Sequence, residues 1–191
     1  MNPLLDCALQ YWEPGIRDPF LMGWLIVAVY CLAAFFALAA SQTPGIPVKS
    51  GRYERVFWVS VAALLAMLAF NKQLDFHTFI IAFGRCHSQS QGWYDARREV
   101  QLGVLILLII GMGSFGLWLV WGLRNSLKRM LLPFTGLAAI MGFILLRIML
   151  FFHVYHTHIF GNNSSVSRIF EITGPILLII GAHRIIRSQR I

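Results

Sequence analysis

Five stretches of the chain are apolar almost without interruption: 21–40, 56–71, 102–123, 130–153 and 169–186. A helix rises about 1.5 Å per residue, so a run of about twenty apolar residues matches a hydrocarbon core about 30 Å thick. The pattern predicts an all-α integral membrane bundle of about five transmembrane helices, with residues 1–191 forming a single membrane domain. Between the second and third runs, Phe76, Phe79, Ile80 and Phe83 recur at helical spacing, which predicts an interfacial helix over 74–85. Ser88-Gln89-Ser90-Gln91-Gly92 ends it. Pro133 falls in the first turn of the fourth run, where a proline is tolerated. Gly111, Gly113 and Gly116 give the third run a surface that permits close helix contact.

The polar positions orient this bundle. Nine of the sixteen Lys and Arg (Lys49, Arg52, Arg55, Arg124, Lys128, Arg129, Arg184, Arg187 and Arg190) fall on one side of the predicted spans. Arg17, Lys72, Arg85, Arg97, Arg98 and Arg168 fall on the other, and Arg147 lies within a span. Basic residues concentrate on cytoplasmic loops, so the N-terminus is expected outside and the C-terminus inside. Residues 1–20, acidic and aromatic rather than basic and apolar, are not expected to act as a signal peptide.

Composition agrees. The chain is 58% hydrophobic and only 13% charged, with a mean hydropathy of +0.68, too apolar for an ordinary soluble domain. Its net charge of +8 is accounted for by the loop bias, and no nucleic-acid partner is expected. Three cysteines without a CxxC spacing exclude a dense disulfide scaffold and a zinc module of that type. Cys7 and Cys86 share the outer side, where an oxidising compartment permits a disulfide, and Cys31 stays reduced within the first span.

The outer ends of spans two to five carry residues 71–77, 93–101, 147–158 and Glu171. A charged side chain facing lipid costs at least about 2.5 kcal/mol, so these groups are expected to turn inward and pair. The pairs expected are Asp75 or Glu171 with Arg147, and Asp75 with Arg97 or Arg98. Asn71, Lys72, Gln73, Asp75, Trp93, Tyr94, Arg97, Arg98, Gln101, Arg147 and Glu171 are the candidate ligand-binding residues. The arginines offer charge-assisted hydrogen bonds to a phosphate or carboxylate, and Trp93 and Tyr94 can cover a ring or an acyl boundary. A lipid head group or a quinone fits this chemistry. His153, His156 and His77 are candidate metal ligands, with His158 and the carboxylates nearby, although their spacing matches no established zinc signature. For haem, His153 is the one histidine near membrane depth and lacks a partner in another span. No serine sits in a nucleophile-elbow context. The same charges also serve as an ion-pair network that fixes helix registry.

Asn71-Lys72-Gln73-Leu74-Asp75, followed by Gly92-Trp93-Tyr94, Arg97-Arg98 and Gln101, resembles a group of small bacterial multi-pass membrane proteins without an established activity. Some of these carry an isopropylmalate isomerase label that nothing in these residues supports. The likeness extends to Arg147, Phe151, His153-Val154, Glu171 and Gly174. The family pattern has a second histidine where this chain has Phe152, an acid at Tyr155, and an Asn-Trp pair at Ser167-Arg168. The resemblance implies a multi-pass protein of the bacterial cell inner membrane. Two function classes follow: a protein with a ligand or catalytic site at its periplasmic face, in contact with membrane lipids, or an accessory subunit of a larger membrane protein complex. The aromatic face of span one, with Trp24, Tyr30, Phe35 and Phe36, suits the second.

Overall fold

The computed structural model describes residues 3–13, 15, 16, 18–43, 51–151 and 164–188, with side chains described at all of these except 149–151 and 164–170. All regular structure among them is helical: α1 (Pro3–Tyr11), α2 (Leu21–Ser41), α3 (Gly51–Leu74), α4 (Phe76–Ser90), α5 (Arg97–Gly122), α6 (Leu127–Phe151) and α7 (Ser164–Arg187). Short 3-10 turns at Tyr94–Ala96 and Arg124–Ser126 lead into α5 and α6. Among the described residues, four helical segments are long and apolar enough to cross a membrane, namely Leu21–Ser41, Gly51–Leu74, Tyr94–Gly122 and Arg124–Ile148. The fifth expected span falls on α7.

Helix starts precede the apolar runs. Arg52, Glu54 and Arg55 belong to α3, and Arg97, Arg98 and Glu99 to α5, because Glu and Arg are good helix formers and continue a helix beyond its apolar stretch. The same shift at α6 places Pro133 inside the helix rather than in its first turn, and Pro175 lies inside α7. The interfacial helix runs over 76–90 rather than 74–85. It stops where Gly92 takes a φ of 75°, open to glycine without a side-chain penalty.

Packing follows side-chain size. Helix α2 lies between α3 and α7, and α7 packs on α6. Ala33, Ala34, Ala37 and Ala40 of α2 are buried with Phe57, Trp58, Val61 and Leu65 of α3 and with Leu178, Ala182 and Ile185 of α7. The α6–α7 crossing is closer still. A Cβ on Gly174 would lie 2.5 Å from Ile140 Cγ1 and 3.0 Å from the carbonyl oxygen of Gly136, and one on Gly181 would lie 2.8 Å from Pro133 Cγ. Small residues of this kind let membrane helices touch backbone to backbone.

Three helices, α1, α4 and α5, add little to this packing. Helices α1 and α4 pack on each other through the Cys7–Cys86 disulfide, with Cα atoms 6.1 Å apart. The Trp12 ring lies 5.1 Å from that of Phe79, and its Nε1 donates to the carbonyl of Leu74 at 3.0 Å. Trp12 therefore locks α1 to the α3–α4 corner. Cys31 is free. Helix α5 buries only Leu105 and Leu119, and its main aromatic contact is Trp118 on Tyr53, with centroids 5.1 Å apart. Cβ atoms on Gly111, Gly113 and Gly116 would meet nothing within 4 Å. Among the described residues, the close contact expected of these glycines is not made.

Candidate functional site

The site begins where α3 stops. Asp75 adopts a φ of 51°, a left-handed conformation that Asp tolerates better than most residues, and the chain turns there into α4. Asn71 Oδ1 accepts the backbone N–H of His77 at 3.0 Å, filling one donor that the first turn of α4 leaves unmatched. Asp75 Oδ2 accepts from Thr78 Oγ1 at 2.8 Å, and Oδ1 lies 2.9 Å from His77 Nδ1. An ionised Asp75 assigns the imidazole hydrogen to Nδ1, leaving Nε2 as the acceptor nitrogen of the neutral ring. Burial lowers the His77 pKa below 6.5; Asp75 opposes that shift and Arg147 adds to it.

One turn earlier, Lys72 Nζ lies 3.1 Å from Glu171 Oε1 and 3.4 Å from Oε2, and 3.7 Å from Asp18 Oδ2. The side chains of Lys72 and Glu171 are 15% and 5% exposed. A lysine this buried keeps its charge only with an anionic partner. Asp18 reaches it because Gly23 has no side chain: a Cβ there would lie 2.5 Å from Asp18 Cγ.

Beside the triad lies a cavity of about 210 Å³ lined by Tyr30, Leu68, Asn71, Lys72, His77, Ile81, Phe143, Ile144, Arg147, Ile148 and Glu171. Four helices and the start of α4 thus contribute to one pocket, lined by both apolar and polar side chains. Arg147, exposed at the pocket, is not where the sequence placed it electrostatically. The expected pairing with Asp75 or Glu171 is not made: Glu171 is held by Lys72 and Asp75 by His77. Among the described residues, which include all eight carboxylates, none is ion-paired to Arg147. Counting the lining side chains with His77 neutral, Lys72 and Arg147 face a single carboxylate, Glu171.

Of the candidate ligand residues, Asn71, Lys72, Arg147 and Glu171 line the cavity, joined by His77. Asp75 stands behind His77. The side-chain amide of Gln73 is buried without a hydrogen-bond partner and is not part of the lining. Trp93, Tyr94, Arg97, Arg98 and Gln101 lie elsewhere, at the start of α5. There Arg97 stacks on Tyr94 at 4.1 Å and donates to its carbonyl at 3.1 Å, so the expected pairing of Asp75 with Arg97 or Arg98 is not found either. Trp93 Nε1 donates to Gln91 Oε1 at 3.2 Å. His153, His156 and His158 lie outside the described residues. Among the described residues no three His, Cys, Asp or Glu side chains converge to hold a metal ion.

The sequence reading missed Asp18 and Tyr30. It sought the outer level only at the ends of spans two to five, whereas Asp18, three residues before Leu21, belongs to that level by the same count. No protein-family model, curated protein or solved structure matches the chain. The all-helical fold of the described residues, with four segments long and apolar enough to cross a membrane, is compatible with a membrane protein.

Proposed function

We propose that this chain is a multi-pass protein of the bacterial inner membrane that binds the anionic head group of an amphiphile, a phosphate or carboxylate, at its periplasmic face. One observation carries the reading: Arg147 lines a largely apolar cavity while each neighbouring carboxylate is already engaged. An arginine stays charged in any setting, so a bound anion supplies what the chain does not. Leu68, Ile81, Phe143, Ile144 and Ile148 give the attached hydrocarbon its surface. The charge bias of the loops and the Cys7–Cys86 disulfide both support placing this end in the oxidising compartment. The likeness of residues 71–101 to the small bacterial membrane proteins supports the cellular setting.

The test is native mass spectrometry of the detergent-purified protein titrated with oleate, phosphatidylglycerol, phosphatidylcholine and a short-chain quinone. Oleate or phosphatidylglycerol binds, and Arg147→Gln weakens that binding about tenfold to a hundredfold, since hydrogen bonds to charged groups contribute about 1.5–3 kcal/mol. Quinone binding that survives Arg147→Gln assigns the cavity to a quinone held by His77 and Lys72 instead.

The accessory-subunit reading has its own support in α5. Its exposed Ile106, Leu107, Ile110, Leu117 and Trp121 and its open glycine positions suit a helix of a larger membrane complex. Purification in mild detergent with a second chain in fixed ratio distinguishes it.

A further inference from the structure

Among the described residues, the opposite end of the bundle carries basic residues that no carboxylate answers. Lys128 and Arg129 of α6 and Arg184 of α7 line a cleft of about 330 Å³. Arg184 is shared with an adjoining cleft of about 680 Å³ that adds His183 and Arg187. Neither lining contains an acid. Arg129 Nε and Nη2 are buried with no hydrogen-bond partner, and buried donors to a charged group are costly to leave unmatched. Thr135 in the same cleft donates its hydroxyl to Leu132 O. The acid at this end, Glu54, is fully buried in α3 and its own oxygens have no partner.

We propose that these two clefts, which share Arg184, bind one anionic phospholipid, its phosphodiester received by Arg129 and Arg184 and its acyl chains laid on Leu131 and Ile180. The site has the two parts such a lipid needs. A planar guanidinium matches phosphate oxygens in a fork. Leu131 and Ile180, which line these clefts, are exposed apolar residues, a surface that a soluble phosphate compound would not use. Basic pockets between membrane helices are a recurrent way of holding such head groups. The proposal stands on residues separate from the Lys72 cavity and does not depend on the reading given there.

The experiment is native mass spectrometry in neutral detergent with dioleoylphosphatidylglycerol and dioleoylphosphatidylcholine as probes and inorganic pyrophosphate as competitor. The wild-type chain is expected to hold phosphatidylglycerol in preference to phosphatidylcholine. Arg129→Gln and Arg184→Gln each weaken it about fivefold or more, while pyrophosphate does not displace it. Arg184 is exposed, so its variant reports even if Arg129→Gln fails to fold. Arg147→Gln leaves this binding event in place, which separates it from the cavity at the other end. Unchanged lipid binding in Arg184→Gln overturns the proposal, as does displacement by pyrophosphate. Equal lipid-independent losses of stability in Glu54→Gln and Arg129→Gln, with no further loss in the double variant, assign Arg129 to Glu54 and overturn it too.

Discussion

Lys72 answers Glu171 directly and Asp18 at longer range, and each contact comes from a different part of the chain. Lys72→Met strands Glu171 in a buried position and is expected to cost about 3–5 kcal/mol, whereas Lys72→Met with Glu171→Gln recovers part of the loss. Thermal unfolding in detergent reads both; losses that simply add would separate the two residues. His77 makes a second prediction, on pH. Its folded pKa lies below 6.5, so the unfolded chain takes up the proton first as pH falls. Stability is then fully present above 6.5 and declines below it towards the folded value. Replacing His77 by Gln, with Asp75 and Arg147 left in place, should flatten that decline in a pH series of melting temperatures. The polar cluster itself was legible in the sequence because charges at the end of an apolar run have few places to go. Which charge takes which partner was not: Asp75 and Glu171 are both within the depth Arg147 can reach, and only the turn at Asp75 and the approach of Asp18 over Gly23 decide the matter.

At the scale of helices, glycine separates the contacts that matter from those that do not. Gly174→Ala places a methyl group against Ile140 and the backbone of Gly136 and is expected to destabilise by about 1–3 kcal/mol, the usual cost of overpacking. Gly113→Ala meets open space and is expected to be neutral or slightly stabilising. Denaturation of the two variants side by side checks the pair. From sequence, the glycines of α5 looked like the contact surface, because spacing shows only that a helix can be approached closely. The partner is set by where the chain returns, and α7 returns to α6 and α2. The four spans that are long and apolar enough to cross a membrane among the described residues were legible from run length alone. Helix ends were displaced, since polar residues such as Arg52 and Arg98 extend a helix without marking it.

For the whole molecule, the proposed orientation has a direct check. A reporter active only in the periplasm should work at the N-terminus, and one active only in the cytoplasm at the C-terminus; a cytoplasmic N-terminus would overturn the five-span arrangement. The same topology sets a timetable for synthesis. Helix α2 emerges well before α7, yet α7 covers one flank of it. Until α7 is made, Lys72 waits without Glu171, and Ala33 and Ala37 wait without one of the helices that bury them. The unfinished chain is therefore a natural target for membrane quality control. A chain stopped after residue 151 is expected to insert but to be degraded several-fold faster than the full one in a pulse-chase. Supplying residues 164–191 on a separate membrane-targeted peptide should lengthen its lifetime.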